Sequence, residues 1–173
     1  ITEISEEYVT KQTNSYIKNL VVNQIDLMQN LYDKLIKENL SEDEIKAELI
    51  NLIDISKFGK SGYYWVNDFR PFMVHHPIKP ALDNTDLSNF KDPNGVFLFT
   101  EMAEICKKDG EGFVEYMWEK PGSDKPQPKI SFVKTFVPYQ WVVGTGEYLE
   151  NVTNKIFLNF IIRYPRFDLC IHQ

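Results

Sequence analysis

The sequence has few cysteines and none of the patterns in which cysteines bind metals or exchange electrons. Only Cys106 and Cys170 occur among its 173 residues, and neither stands in a Cys-x-x-Cys pair. Zinc and redox motifs built on closely spaced cysteines are therefore excluded. The two thiols could form one disulfide bond or stay reduced, and their number does not decide the compartment.

Long apolar runs and an excess of basic residues are also missing. No apolar run reaches the roughly 18 residues of a membrane-spanning helix. The 25 acidic residues outnumber the 19 basic ones, for a formal net charge of −6. Because nucleic acids require a basic surface, binding to DNA or RNA is not expected. The chain begins at Ile1 without a signal-peptide pattern, so we expect it to be part of a longer protein.

Motifs for catalysis and for cofactor phosphates are missing as well. The sequence contains no Gly-x-Ser-x-Gly, no His-Glu-x-x-His and no P-loop. The stretch "GTGEY" lacks the remainder of a dinucleotide-binding fingerprint. His75 and His76 are adjacent, but no third histidine or carboxylate stands near them as in a metal triad. We therefore expect no enzyme activity, no cofactor and no metal.

Apolar and aromatic residues are plentiful, at 43% and 14% of the chain, which is enough for one domain with a packed core. Residues 1–39 carry apolar side chains at spacings near three and four, which predicts a long helix. Ser41 and Glu44 form a capping-box pattern. This pattern predicts a second helix from Glu42 to about Ile55.

From Tyr63 onward the pattern changes to strands. An irregular, proline-rich stretch at residues 75–95 predicts a long ordered loop. After it come a short helix, three strands and a last helix, in the segments "VFLFTEMAEICKK", "GEGFVEYMWEKPG", "PKISFVKTFVPY", "QWVVGTGEYL" and from Glu150 to about Tyr164. The order predicts an α+β fold with an antiparallel sheet.

Six blocks of the sequence stand in a distinctive order. They are "GYYWVND" (62–68), "PFMVHHP" (71–77), "DLSNFKDPNG" (86–95), "GEGFVEYMWEKPG" (110–122), "KISFVKTF" (129–136) and "WVVGTGEYLENV" (141–152). Together they resemble the single Cache family of sensor domains. The resemblance implies a PAS-like fold, in which a long N-terminal helix packs on a curved antiparallel sheet and a ligand pocket lies on the other face.

The same resemblance implies a place and a role. Such domains are the periplasmic or extracellular parts of bacterial inner-membrane transducers, namely methyl-accepting chemotaxis proteins and sensor kinases. Their membrane helices would flank this chain and lie outside it. Ligands of similar domains are small organic acids such as acetate, propionate, pyruvate or lactate.

The expected organisation is one sensor domain at residues 1–155, with helices at 1–57 and the sheet and pocket loop at 58–150. Residues 156–173 would form the end of the last helix and a tail. Two features depart from the family pattern. One is the tail "RYPRFDLCIHQ", and the other is Glu147, where the family often has an apolar residue. The first helix has more apolar positions than one packing face needs. This excess is compatible with a homodimer contact between first helices.

Candidate ligand contacts come from the aromatic blocks. Trp65 and Met73 are expected to border the pocket. Tyr116 and Trp118 share one face of their strand and carry polar tips that need partners when buried. His76 precedes a proline, which holds its backbone extended, and the family's block borders the pocket there. His75 is expected to be its solvated neighbour.

Lys129 and Lys134 lie on the same predicted strand. Because they are five residues apart, a regular strand points them to opposite faces. Ser131 shares the more polar face with Lys129, so Lys129 is the expected partner of a ligand carboxylate. The alternative is that both lysines reach solvent at the ends of the strand.

Two other functions fit the sequence less well. One is a cytosolic PAS-like domain that binds a cofactor, or a small enzyme, and a bound flavin or haem would then colour the protein. The other is a dimerisation module without a ligand.

Overall fold

The computed structural model describes residues 2–163, in which one long helix packs on a five-stranded antiparallel sheet. The helices are α1 (Thr2–Lys37), α2 (Glu42–Ile55), α3 (Leu98–Asp109) and α4 (Leu149–Arg163). The strands are β1 (Trp65–Asp68), β2 (Met73–His75), β3 (Glu111–Glu119), β4 (Pro126–Phe136) and β5 (Trp141–Tyr148). The sheet order is β2-β1-β5-β4-β3. The predicted fold class is confirmed.

The first two helices form where the sequence predicts them. α1 ends at Lys37, two residues earlier than predicted, and Asn39 just beyond it adopts a left-handed φ of 57°, a conformation that terminates helices. The Ser41 hydroxyl accepts a hydrogen bond from the Glu44 amide, and the Glu44 carboxylate accepts one from the Ser41 amide. The predicted capping box therefore begins α2.

The sheet separates two hydrophobic clusters. On one face, α1 and α2 cover Ile130, Phe132 and Phe136 of β4. On the other face, Val133 belongs to a cluster with α3, β3 and the loop after β2. The predicted alternation along β4 is thus confirmed, and Lys129 lies on the face away from α1.

The long loop after β2 is fixed by a buried carboxylate. Asp92 accepts hydrogen bonds from the backbone amides of Asn94 and Val96 within the loop, both at 2.9 Å. Its second oxygen accepts one from the Met117 amide of β3 at 2.8 Å. The loop is therefore held over the far face of the sheet.

Within residues 2–163, none of the helices combines the length and the apolar character that crossing a membrane requires. The tail from Tyr164 onward and Cys170 lie outside the described residues. Cys106 is buried, and the disulfide bond that the sequence allows between it and Cys170 lies outside the described residues.

Candidate functional site

Lys129 is the charged centre of the far face of the sheet. Its side chain is 3% exposed, and its Nζ donates a hydrogen bond to the Tyr63 hydroxyl at 3.2 Å. Three aromatic rings surround the ammonium group, with centroids 4.6 Å away for Tyr63 and 5.2 Å for both Trp65 and Tyr148. These rings stabilise a cation through their π faces, but they do not neutralise it.

No carboxylate of the described residues lies within ion-pair distance of Lys129. Burial lowers the pKa of Lys129 to about 7, and the more distant charge of Glu147 only partly opposes this shift. A buried ammonium without a counter-ion is costly. An anion bound beside Lys129 would supply this counter-ion, so the electrostatics of the site favour an anionic ligand.

Gly146 makes room for this arrangement. A Cβ at position 146 would clash with the Ser131 hydroxyl and lie 2.8 Å from Lys129 Cε. Any side chain at this position of β5 would therefore displace the lysine.

Tyr116 and Ser131 supply polar groups on the same face. The Tyr116 hydroxyl and the Ser131 hydroxyl are hydrogen-bonded at 2.8 Å, and both side chains are buried. The β3–β4 register places Tyr116 opposite Lys129. Burial raises the pKa of Tyr116, so the phenol stays a neutral donor at any physiological pH.

His76 is a neutral donor in this site. Its ring is 1% exposed and lies between Tyr63 and Trp118, with centroids 5.2 and 5.6 Å apart. Nδ1 accepts hydrogen bonds from the backbone amides of Ile78 and Lys79 at 3.2 and 2.9 Å. The proton must therefore lie on Nε2. Burial and the nearby lysine charges lower the pKa of His76 to about 3.

The apolar wall of the site is built from aromatic pairs. Trp118 packs edge-on against Tyr116 and Phe99, with centroids 6.2 and 5.8 Å apart. Met73 is buried in the same cluster. The ring of Trp65 faces Lys129, and its indole N–H donates a hydrogen bond to the Asn67 side-chain oxygen at 3.1 Å.

The structure therefore gathers the seven predicted contact residues on one buried face, although their contact with a ligand stays a prediction. Sequence reasoning left out two members of this group, Tyr63 and Tyr148. Tyr148 lies directly opposite Lys129 in the β4–β5 register, and its hydroxyl donates to the Glu119 carbonyl at 2.7 Å. Tyr63 belongs to the "GYYWVND" motif, but its contact with Lys129 is visible only in the tertiary structure.

The expectation that His75 is solvated is wrong. Its Nε2 lies 2.6 Å from the Asp54 carboxylate of α2, and its Nδ1 lies 2.9 Å from Asp83 of the pocket loop. The other oxygen of Asp83 accepts a hydrogen bond from the His76 amide at 2.7 Å. His75 therefore ties the loop that carries His76 to α2.

Replacing His75 with glutamine is expected to destabilise the fold in a pH-dependent way. Burial disfavours the charged ring, but the hydrogen bonds to Asp54 and Asp83 outweigh it and raise the pKa of His75. The stabilisation is thus complete below the unfolded pKa and is lost as pH rises through the folded one. At pH 6 the variant should lose about 1–3 kcal/mol in urea unfolding. Parallel pH profiles for the two proteins would contradict this role.

Lys134, unlike Lys129, forms an ion pair within the described residues. Its Nζ lies 2.9 Å from the Glu111 carboxylate on the half-buried α1 side, and Lys18 of α1 approaches the same carboxylate at 3.2 Å. The alternative in which both lysines reach solvent is therefore wrong for Lys129, and Lys134 is already neutralised.

Comparisons with known proteins agree with this architecture. The family model described as a Cache domain matches residues 1–161. The methyl-accepting chemotaxis protein McpP of Pseudomonas putida is 34% identical over 113 residues, which are 65% of this chain and 21% of that protein. The sensor histidine kinase MctS of Rhizobium johnstonii is 29% identical over 147 residues, or 85% and 31% of the two chains. The chain thus spans a fifth to a third of these relatives.

Two solved structures are similar over nearly their whole length. One, described as the periplasmic sensor domain of a chemotaxis protein, is 39% identical with a TM-score of 0.76, over 80% of this chain and 96% of its own. The other concerns carboxylic acid recognition by a Cache chemosensory domain. It is 31% identical with a TM-score of 0.76, over 82% and 97% of the two chains.

Proposed function

Because this chain belongs to the Cache domain family of periplasmic sensors, we propose that it binds a C2 to C4 monocarboxylate. Acetate, propionate, pyruvate and lactate are members of this class. The proposal places the chain in a bacterial chemotaxis receptor or sensor kinase whose membrane helices flank it. The domain itself would bind its ligand without catalysis.

The observation that carries the proposal is the buried Lys129, which has no acidic partner within residues 2–163. A ligand carboxylate would supply the missing counter-ion through a charge-assisted hydrogen bond. Nε2–H of His76 and the hydroxyls of Tyr63 and Tyr116 are further donors within the same cluster. The 31% identical structural relative is described as recognising a carboxylic acid, which supports a carboxylate ligand here.

An amino acid fits this site less well, because its ammonium group would need an acidic partner. Asp68 is the acidic residue of the motif that carries Trp65, but its carboxylate is already engaged. The Asp68 carboxylate accepts a hydrogen bond from Arg70 Nε at 2.8 Å and another from the Phe72 backbone amide at 2.9 Å. The monocarboxylate is therefore the better match.

A thermal-shift screen tests the ligand class. Propionate should raise the unfolding midpoint more than alanine at equal concentration, since a ligand that binds only the folded state stabilises it. At a hundredfold excess over Kd the gain is about 2.7 kcal/mol. Larger shifts with amino acids than with monocarboxylates would reject the class. An absorbance spectrum of the purified domain would reveal a flavin or haem and so support the cofactor-binding alternative.

We further propose that the domain dimerises through α1 in the intact receptor. α1 packs on the helix-facing side of the sheet, and its surface away from the sheet keeps several exposed large apolar residues, namely Tyr8, Tyr16, Leu27 and Ile36, of which Tyr16 and Leu27 share a side of the helix. Tyr64 lies between Tyr63 and Trp65 in the chain, and on the helix-facing side of the sheet its hydroxyl donates to the Leu20 carbonyl of α1 at 3.3 Å. A shift of Tyr63 or Trp65 on ligand binding would therefore reach α1 through Tyr64.

Sedimentation of the isolated chain should show a concentration-dependent dimer. The contact would be weak, because one helix face offers less area than a standard interface. Changing Leu27 to glutamate should abolish the dimer, whereas the same change at the exposed Ile55 of α2 should leave it intact. A strict monomer at millimolar concentration would remove the argument for dimerisation of the isolated domain.

A further inference from the structure

The sheet has a gap beside Lys129. β1 pairs with β5 only between Trp65–Gly144 and Asp68–Trp141, whereas β4 stays paired with β5 as far as Lys129–Tyr148. Before β1, Phe58 and Gly62 exchange both backbone hydrogen bonds with each other, at 3.1 and 2.9 Å. Residues 146–148 of β5 therefore have no strand partner on the β1 side.

A cleft of about 270 Å³ opens at this gap. Its inner end is lined by Lys129 and Tyr148 from the ligand face of the sheet. Its outer part is lined by the turn at residues 59–62, by Glu147 from the helix face and by Lys155 of α4. The cleft thus connects the helix side of the sheet with the buried lysine.

We propose that this cleft is the access route by which the carboxylate reaches Lys129, an inference that rests on the proposed function. At about 30 Å³ per water molecule, the cleft has room for a short acid. On the opposite side, Asp92 anchors the pocket loop to β3 and Asp83 holds the His76 amide. Those bonds hold the pocket loop over the other approach.

The charges along the cleft favour an anion. Lys60 and Lys155 line it, and neither forms an ion pair with a described residue. Glu147 is the opposing charge, but its Oε1 accepts hydrogen bonds from the Tyr148 amide at 2.9 Å and from Asn151 at 2.7 Å. Clefts lined mainly by one sign of charge raise the local concentration of counter-ions and speed association.

Filling the mouth of the cleft tests the route. Ser61→Phe adds bulk at the exposed turn, and Ser123→Phe makes the same change at the exposed turn between β3 and β4. Binding of propionate is followed by stopped-flow fluorescence of Trp65 and Trp118, which flank the site. The association and dissociation rates should both fall about tenfold or more in Ser61→Phe, with Kd nearly unchanged. The control should keep both rates.

A charge reversal gives an independent readout if Ser61→Phe fails to fold. Lys155→Glu should slow association several-fold more than the same change at the exposed Lys108 of α3, and added salt should shrink the difference. Unchanged rates in both cleft variants would overturn the route and mean that ligand passes the pocket loop. A loss of affinity through dissociation alone would also overturn it. If propionate fails to bind the unmodified chain, the proposed function fails, and the route fails with it.

Discussion

Replacing Lys129 with methionine is expected to lower carboxylate affinity about ten- to a hundred-fold. Methionine keeps most of the side-chain length and removes the charge. The loss corresponds to about 1.5–3 kcal/mol for a hydrogen bond between charged groups. Calorimetric titration with the best acid from the thermal-shift screen measures it, and circular dichroism confirms the fold.

The same variant should make the unliganded domain more stable. Burial lowers the pKa of Lys129 to about 7 in the folded state, against about 10.4 for a solvated lysine. The cost of burying the charge is therefore complete below pH 7 and shrinks as pH rises toward the unfolded pKa. A gain of about 1–4 kcal/mol at pH 6 is the scale expected for replacing a buried charge. A destabilised Lys129→Met at pH 6 would contradict this view.

Lys134→Met is the matched control on the same strand. Affinity should change little, because Lys134 points to the α1 side and pairs with Glu111. The reverse outcome, with Lys134 critical and Lys129 silent, would show that the site lies on the other face, and Ser131 would leave the site with Lys129. Small, equal effects would transfer the anion-binding role to His76.

Carboxylate affinity should fall about tenfold per pH unit above pH 7. The anion binds the protonated form of Lys129, and the pKa of this group in the free domain is about 7. Binding raises that pKa, so each complex formed above pH 7 takes up a proton. Titrations between pH 6 and 9, in buffers of different ionisation enthalpy, measure both the affinity and the proton uptake.

The remaining titratable groups of the site cannot produce this profile. The pKa of His76 is lowered to about 3 and that of Tyr116 is raised, so both stay neutral from pH 6 to 9. A pH-dependent affinity in this range would therefore not identify His76 as the titrating group. A flat profile for the unmodified domain, or a slope retained in Lys129→Met, would exclude Lys129 as the titrating group.

Local patterns in the sequence were sufficient for most of the fold. Ser41 and Glu44 determine where α2 begins because a capping box depends on residues only three apart. Alternation along β4 separated Lys129 from Lys134 for the same reason, since neighbouring side chains point to opposite faces. The greater polarity of the face that carries Lys129 and Ser131 decided between the two lysines, because alternation alone does not identify the ligand face when both faces of a sheet are covered.

Contacts between distant segments could not be read from those patterns. Tyr148 meets Lys129 through the β4–β5 register, which depends on strand pairing. His75 bridges Asp54 and Asp83, and no local rule relates α2 to the pocket loop. The gap in the sheet arises because β1 is shorter than β4, which becomes visible only when the strands are aligned.

The most direct test of the account is a crystal structure of the domain with propionate. We expect a carboxylate oxygen about 2.7–2.9 Å from Lys129 Nζ, with the ethyl group against Trp65 and Trp118. A propionate bound beside Lys60 and Lys155, with Lys129 still bonded only to Tyr63, would contradict the account.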